Sequence, residues 1–259
     1  MSQSLGRGLA ILRYVANNGA YVTVKEVAQE IGVDPSTSSR LMSTLEKQGL
    51  LQQDPRTHTF RLGTGVLELA NALVASYNLG EYSHDVVRWL AGETGEGAHL
   101  AVLVQGEAIF LDRTAGRGPI TVHTEIGARD PVYCSAIGRA LLSGLTDAEV
   151  KRELADVPLK RLTRKTATSL SAVLAKVDLT RKKGYAFDDE ERHAGVQCIA
   201  APVRDHSGHV VAAIGISGPT PNIQRATEAA LASVVLTAAS RLTAQLGGPT
   251  SSNGRPASG

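Results

Sequence analysis

The chain has 259 residues, 42% of them hydrophobic and 20% charged, a composition that excludes collagen, coiled coil and wholesale disorder. This length allows two domains with sizeable cores. The longest apolar run, residues 210–216, is too short to span a bilayer, so we expect a cytoplasmic protein without membrane contact. Cys134 and Cys198 are far apart in sequence, which indicates no disulfide framework or zinc ribbon.

The net positive charge of the chain lies in its first 62 residues. That segment holds seven Lys or Arg against five Asp or Glu, whereas the remaining chain has twenty of each. An excess of positive charge in one segment is a weak indication of a polyanionic partner there.

The first 50 residues have the pattern of three helices. Apolar side chains recur at helical spacing over residues 5–16. A capping box that begins at Thr23 opens a second, short helix, and Gly32 closes it. A third helix begins at once, with Asp34 as its N-cap and Pro35 at its first position. Two short helices joined by a tight turn with glycine predict a helix-turn-helix.

The outward face of the third helix carries no acid. At 100° per residue, that face holds Ser36, Arg40, Ser43 and Lys47. A helix that enters the DNA major groove needs short hydroxyl donors, a positive dipole end near phosphate and a long side chain for base edges. We therefore interpret it as a recognition helix with Arg40 as the main base reader. A capped surface helix with tolerated serines is the alternative.

Residues 50–62 alternate as two strands around a turn at residues 54–57, which predicts a wing. Basic side chains at its tip and return strand would lie along the phosphate backbone. The side chains that we expect to contact double-stranded DNA are Arg7, Ser36, Thr37, Ser39, Arg40, Ser43, Lys47, Arg56, His58 and Arg61.

A further helix is predicted from Thr64 to Tyr77, with apolar residues on two faces. One face holds Val66 and Leu69, and the other holds Leu67. Apolar residues on two faces indicate packing on a second subunit, and an intramolecular helix is the alternative.

The chain past residue 80 predicts an α+β fold with a mainly antiparallel sheet. Strands are predicted around Gly106, over residues 119–124, and in a long hairpin that turns at Ser207-Gly208. Helices are predicted between them, and one alanine-rich helix over residues 221–246. We expect a DNA-binding domain over residues 1–62, a linker and dimerisation helix over 63–79, an effector domain over 80–246 and a disordered tail over 247–259.

These pieces together closely resemble the IclR family of bacterial transcription regulators over nearly the full length. The most specific match is "GYAFDDEERHAGVQCIAAPVRD", where Gly184, Asp188, Glu191 and Cys198 fit the family pattern. Arg204 departs from it, since an aromatic residue or His is usual there. The resemblance implies a non-enzymatic regulator with a GAF-like effector domain for a small molecule, typically a metabolite acid or aromatic compound. It also implies homodimers or tetramers on a palindromic operator.

An effector pocket is predicted between the sheet and its helices. Residues on the two arms of the long hairpin lie level when they are equally far from its turn, which brings Cys198 and Ser217 together. Gly215 would share their face and leave room for a ligand, and Asp188 is a further polar candidate. The resemblance adds Val122, Ala136 and Ile137 as pocket wall, the last two at a helix start whose amides would suit a carboxylate. Small core residues at these positions are the alternative.

Other interpretations remain open at this point. Cys134 or Cys198 with His193 could form the nucleophile site of a thiol enzyme, although no nucleophile elbow or phosphate loop accompanies them. The same thiols would serve a redox-sensing regulator. The run DDEERH offers Asp188 and His193 as metal ligands, but a solvated loop fits a contiguous acidic run better. We therefore expect no metal and no cofactor. RNA binding is disfavoured because no aromatic platform lies near the wing.

Overall fold

The computed structural model describes residues 3–18, 21–76, 82–118, 122 and 125–249. The chain divides into two compact units, Met1–Ser76 and Tyr77–Gly259. The described helices are α1 Gln3–Asn18, α2 Val24–Ile31, α3 Pro35–Lys47, α4 Gly65–Ser76, α5 Tyr82–Thr94, α6 Ala136–Leu142, α7 Asp147–Glu153, α8 Leu170–Lys183, α9 Thr220–Ala226 and α10 Glu228–Gln245. The described strands are β1 Leu51–Gln53, β2 Phe60–Leu62, β3 Gly97–Val104, β4 Glu107–Thr114, β5 Arg129–Pro131, β6 Ala186–Asp189, β7 Val196–Arg204 and β8 Val210–Pro219.

The first unit is a winged helix-turn-helix, as predicted. Thr23 caps α2 through the predicted capping box, and Gly32 ends that helix in the left-handed region at φ 66°. Strands β1 and β2 pair antiparallel as the wing, and Val22 forms a bridge to Phe60 at its base. Helices α1 to α3 and the wing share one small core, built from Ile11, Val15, Val22, Val27, Met42, Leu51 and Phe60.

The second unit is built on a six-stranded antiparallel sheet with the strand order β5-β4-β3-β8-β7-β6. Helices α5 and α10 pack on one face, where large aliphatic side chains from the strands meet them. Helices α6 and α8 pack on the other face, where the strands carry small side chains such as Ala101, Ala200 and Ala213. The predicted α+β architecture with an antiparallel sheet is confirmed. The small side chains leave space beneath α6.

The long hairpin β7–β8 turns where the sequence predicts it. Gly208 adopts φ 83°, and Asp205 caps the turn by accepting hydrogen bonds from Ser207 N at 2.9 Å and His209 N at 3.0 Å. Arg204 ends β7 and donates from Nη1 to Gly208 O at 2.9 Å. The residue that departs from the family pattern therefore stabilises the turn.

The prediction of one continuous helix over residues 221–246 is wrong. Thr227 breaks it with φ 67° and ψ 142°, a conformation that cannot continue a helix. Its hydroxyl then accepts from Ala230 N and caps α10. Of the other predicted segments, the strand over 119–124 lies outside the described residues apart from Val122, and so do tail residues 250–259. No helix in the described part of the chain is long and apolar enough to cross a bilayer.

Candidate functional sites

Helix α3 presents its predicted outward face to solvent. Ser39, Arg40 and Lys47 are exposed, and Ser43 is half-buried. Ser38 is buried instead, and its Oγ donates to Val24 O at 3.3 Å, which fixes α3 against α2. Within the described residues the Arg40 guanidinium has no hydrogen-bond or ionic partner, so its donors are available to a ligand.

The start of α3 is capped by a carboxylate. Asp34 accepts hydrogen bonds from Ser36 Oγ, from Thr37 N at 2.8 Å and from Thr37 Oγ1 at 2.7 Å. These hydrogen bonds hold the pKa of Asp34 well below its usual range, and the bond from Ser36 has the largest effect. The two hydroxyls predicted to donate to DNA therefore donate within the protein. Donation to DNA by Ser36 or Thr37 would require those bonds to break, although either oxygen can still accept a hydrogen bond.

The basic side chains of the wing differ in whether neighbouring groups hold them in place. Asp54 fixes the tip by accepting from Arg56 N at 2.8 Å, which leaves the Arg56 side chain exposed. Arg61 donates from Nη2 to Gln52 Oε1 at 3.0 Å and lies over the Tyr21 ring at 5.5 Å. Arg61 is therefore oriented along the hairpin. His58 is exposed at φ 57°, and Arg7 is half-buried on α1.

A cavity of about 330 Å³ lies on the sheet face that α6 covers. Cys198 on β7 lies directly opposite Ser217 on β8 and opposite Asp188 on β6. Directly opposed residues point to the same face of a sheet, so these three side chains form a polar row across the floor. The structure brings six of the seven predicted residues to this cavity: Val122, Ala136, Ile137, Asp188, Cys198 and Ser217.

Gly215 does not line the cavity with the other six predicted residues. It pairs with Ala200 and His99, and a Cβ at this position would lie 2.6 Å from Ile199 O and 2.8 Å from Ala200 Cβ. The space left by the missing side chain is filled by the adjacent strand. The expectation that Gly215 leaves room for a ligand is therefore corrected.

Several cavity residues were not predicted from the sequence. His99 of β3 is buried and meets the Phe110 ring edge-on, with centroids 5.2 Å apart. Burial lowers the pKa of His99 to about 4, so the imidazole is neutral near pH 7. Arg192 Nε donates to Asp130 Oδ1 at 2.7 Å at the cavity wall. Residues that carry chemistry here and were not predicted for the effector pocket are His99, Phe110, Arg129, Asp130, Arg192 and His193, of which the sequence offered His193 only as a thiol partner or metal ligand.

Asp188 is the most perturbed carboxyl of the cavity. It is 1% exposed and accepts a hydrogen bond from Glu191 N at 2.7 Å. Burial raises its pKa to about 7, against the opposing effect of the Arg139 guanidinium. Near neutral pH, Asp188 can therefore accept a hydrogen bond as a carboxylate or donate one as an acid.

The acidic run over residues 188–193, which begins in the last two residues of β6, is not a solvated loop. Glu191 is buried and forms an ion pair with Arg139 of α6, while Lys176 of α8 reaches its other oxygen at 3.1 Å. Asp189 and Glu190 both pair with a lysine of a neighbouring loop. The interpretation as a solvated loop is wrong because each carboxylate has a specific partner. Among the described residues, no group of three or more His, Cys, Asp or Glu is placed to hold a metal ion.

The two thiols are poorly suited to nucleophilic or redox chemistry. Burial raises the pKa of Cys134 to about 12 and raises that of Cys198 far above its usual range. A reactive cysteine needs an accessible thiolate. The thiol enzyme and the redox sensor are therefore both disfavoured.

A winged helix-turn-helix on one chain with an α+β unit that encloses a ligand-sized cavity defines a transcription regulator rather than an enzyme. Matches to family models agree with this class. The model "Bacterial transcriptional regulator IclR C-terminal" matches residues 71–244, and the IclR helix-turn-helix domain matches residues 4–55. This chain belongs to the IclR family of bacterial transcription regulators.

Individual relatives match over nearly the whole chain. The transcriptional repressor IclR of Escherichia coli K12 is 36% identical over 252 residues, which cover 95% of this chain and 90% of that protein. The solved IclR of Thermotoga maritima is 26% identical with a TM-score of 0.78, covering 95% of this chain and 100% of that one. An IclR homolog from Microbacterium hydrocarbonoxydans, complexed with 4-hydroxybenzoate, is 23% identical with a TM-score of 0.83 over 94% and 99% of the two chains. That last likeness shows the fold alone.

Proposed function

We propose that this regulator binds a palindromic DNA operator through α3 and the wing, and that a small organic or aromatic acid in the cavity changes its affinity for DNA. The observation that carries the proposal is the cavity beneath α6, with a polar row of Asp188, Cys198 and Ser217 on its floor. Contact with DNA through α3 and the wing does not use this cavity. The cavity therefore supports a separate sensor role.

The cavity chemistry supports an acid of modest size. A volume of about 330 Å³ is near the lower end of small-molecule sites. Phe110 and the neutral His99, whose rings meet edge-on, offer apolar surface for an aliphatic or aromatic body. Arg129 and Arg192 line the cavity and are paired with Glu107 and Asp130, so the guanidinium N–H groups not used in those pairs are the donors that we propose for a carboxylate. The 4-hydroxybenzoate bound by the Microbacterium homolog belongs to this class.

For DNA binding, we propose the ten side chains predicted from the sequence, with Arg40 as the base reader and with Ser36 and Thr37 limited to accepting hydrogen bonds while they donate to Asp34. Support comes from the exposed, unpaired Arg40 and from the orientation of Arg61 along the wing. In this proposal Arg56 and Arg61 bind phosphate, which positions the protein without reading sequence.

We also propose a homodimer, with pairs of dimers forming a tetramer. Four large apolar side chains on α1 and α4 are exposed in a single chain: Leu5 at 63%, Leu9 at 53%, Leu67 at 64% and Leu69 at 63%. Exposed apolar residues at this density are typical of an interface. A two-fold dimer would place a second recognition helix one helical turn along the DNA.

Two measurements test the proposal. The first is selection of bound sequences from a random duplex pool by the full chain, for which we expect an enriched inverted repeat. Enrichment of no motif would contradict operator binding. The second is thermal unfolding with panels of aliphatic and aromatic acids, because a ligand bound only by the folded state raises the melting temperature. Stabilisation by neutral compounds alone would contradict the acid class.

A further inference from the structure

Two runs of positive charge stand out in the second unit, residues 160–165 and residues 181–183. In the second run each cation is neutralised by an acid: Arg181 by Asp147 at 2.8 Å, Lys182 by Asp178 at 2.7 Å and Lys183 by Glu228 at 3.1 Å. That run carries little uncompensated charge toward solvent.

Residues 160–165, which we name the basic loop, have the sequence KRLTRK and contain no acid. Lys165 pairs with Asp189 at 2.9 Å. Lys160, Arg161 and Arg164 are exposed, and none has an acidic partner within ion-pair distance in the part of the chain that the structure describes. Three uncompensated cations therefore lie within five residues.

The basic loop has a fixed backbone although it belongs to no helix or strand. Tyr133 donates from its hydroxyl to Lys160 O at 2.8 Å. Thr166 Oγ1 accepts from Leu162 N at 3.1 Å and from Thr163 N at 2.8 Å, and it donates to Glu191 O at 2.7 Å. A preformed backbone reduces the ordering cost when the cations bind a partner.

The first unit alone offers modest positive charge for a DNA-binding domain. Residues 1–62 carry an excess of only two positive charges, and the Asp34 carboxylate lies at the start of α3. Affinity for DNA depends largely on the number of phosphates that the protein neutralises. Additional contacts from the second unit would raise that number.

We propose that the basic loop is a second DNA contact, in which Lys160, Arg161 and Arg164 bind backbone phosphates. This inference rests on the proposed operator binding. DNA fits the loop better than an acidic protein does, because the loop shows one exposed large apolar side chain, Leu162, and a protein interface core needs more.

The test is a titration of the full chain against a fluorescein-labelled random-sequence duplex, followed by anisotropy between about 50 and 200 mM salt. The variant is Lys160→Gln/Arg161→Gln/Arg164→Gln. Each phosphate contact contributes about 0.9 to the slope of log K against log salt, so we expect the slope to fall by roughly 2 to 3. At the lower salt concentration we expect affinity to fall by about tenfold or more.

A matched control removes three cations that are paired with acids: Arg152→Gln/Lys182→Gln/Lys183→Gln. It changes the net charge equally and should leave the slope within about 0.5 of the wild type. A slope unchanged in the basic-loop variant, or lowered equally in both variants, overturns the inference. Absence of DNA binding by the wild type overturns the proposed function as well, so the two failures are distinguishable.

A measurement on the unaltered protein guards against misfolding of the variant. Lysine-reactive labelling read by mass spectrometry should show Lys160 protected by the duplex and Lys182 not protected. Equal labelling of Lys160 with and without DNA also overturns the inference.

Discussion

Nη1 of Arg139 lies 2.9 Å from Oε2 of Glu191, and both side chains are 2% exposed. Nη2 of Arg139 donates to Phe187 O at 2.6 Å. The ion pair joins α6, whose first turn lines the cavity, to the loop after β6. Asp188 lies on β6 itself, just before that loop. Two walls of the cavity are therefore fixed from behind by one buried pair.

Glu191→Gln should lower the free energy of unfolding of the second unit by about 3–5 kcal/mol, because it leaves the Arg139 charge buried without its counter-ion. Urea unfolding followed by the fluorescence of Trp89, the only tryptophan, measures this. Glu107→Gln is the control, since its ion pair with Arg129 is exposed and its loss should cost about 0–1 kcal/mol. Equal small losses in both variants would contradict the importance of the buried pair.

Asp188 should make stability fall as pH rises. Its pKa is raised to about 7 from 3.8, so the folded state binds the proton more tightly than the unfolded chain does. Its contribution to the free energy of unfolding therefore decreases between about pH 4 and pH 7 and is constant above. His99 acts in the opposite direction, since its lowered pKa of about 4 makes its contribution rise between about pH 4 and 6.5.

Asp188→Asn isolates this effect, because asparagine retains an oxygen for Glu191 N and has no titrating carboxyl. We expect the stability of the wild type relative to the variant to decrease between pH 5 and pH 7.5 in urea unfolding. A difference that stays flat across this range would refute a raised pKa at Asp188.

Arg40→Ala should weaken binding to a selected operator by about 1–3 kcal/mol and relax its specificity, because a base contact is lost. Arg56→Ala should instead weaken all duplexes alike and flatten the salt dependence. Fluorescence anisotropy with operator and scrambled duplexes distinguishes the two. If Arg40→Ala lowers affinity for both duplexes equally, Arg40 is a phosphate contact rather than a base reader.

Ser217→Leu and Cys198→Phe should abolish the response to the effector while operator binding stays intact, because either side chain would fill the floor of the cavity. The measurement is operator affinity with and without an acid found in the thermal screen. Cys134→Ser serves as control, since Cys134 is buried and does not line the cavity. Responses of wild-type size in both cavity variants would place the effector site elsewhere.

Leu67→Glu/Leu69→Glu should shift the protein from dimer toward monomer in sedimentation at micromolar concentration, because the double variant introduces charge into the proposed dimer interface on α1 and α4. Leu179→Glu is a fair control, as that side chain is 49% exposed on α8. The dimer interface is wrongly assigned if the control variant dissociates to the same extent as the double variant.

Local signals in the sequence predicted much of this molecule. The capping box at Thr23, the Asp34-Pro35 start of α3 and the turn at Ser207-Gly208 act within a few residues, and each is found as predicted. The hairpin turn and a register shift between Val203 and Arg204 together bring Cys198 opposite Ser217, and the sequence predicts only the turn.

Other parts depend on contacts between distant segments, which a single sequence does not reveal. His99 reaches the cavity because β3 pairs with β8, and no local pattern predicts that pairing. Glu191 finds Arg139 52 residues away, so its run resembles a solvated loop until the sheet is assembled. The break at Thr227 is hidden because no glycine or proline marks it and the alanine-rich segment that follows favours a helix.

The cap at the start of α3 limits how much sequence one recognition helix can specify. With the Ser36 and Thr37 hydroxyls donating to Asp34, base discrimination in the proposed DNA complex would depend mainly on Ser39, Arg40 and Ser43. Three such side chains define only a few base pairs, whereas a genome offers roughly 10⁶ or more competing sites. A sequence of only a few base pairs recurs by chance many times in a genome. In the proposed dimer, the spacing between the two half-sites must then supply much of the specificity. Changing the length of the spacer should therefore weaken recognition as much as changing the base pairs that are read.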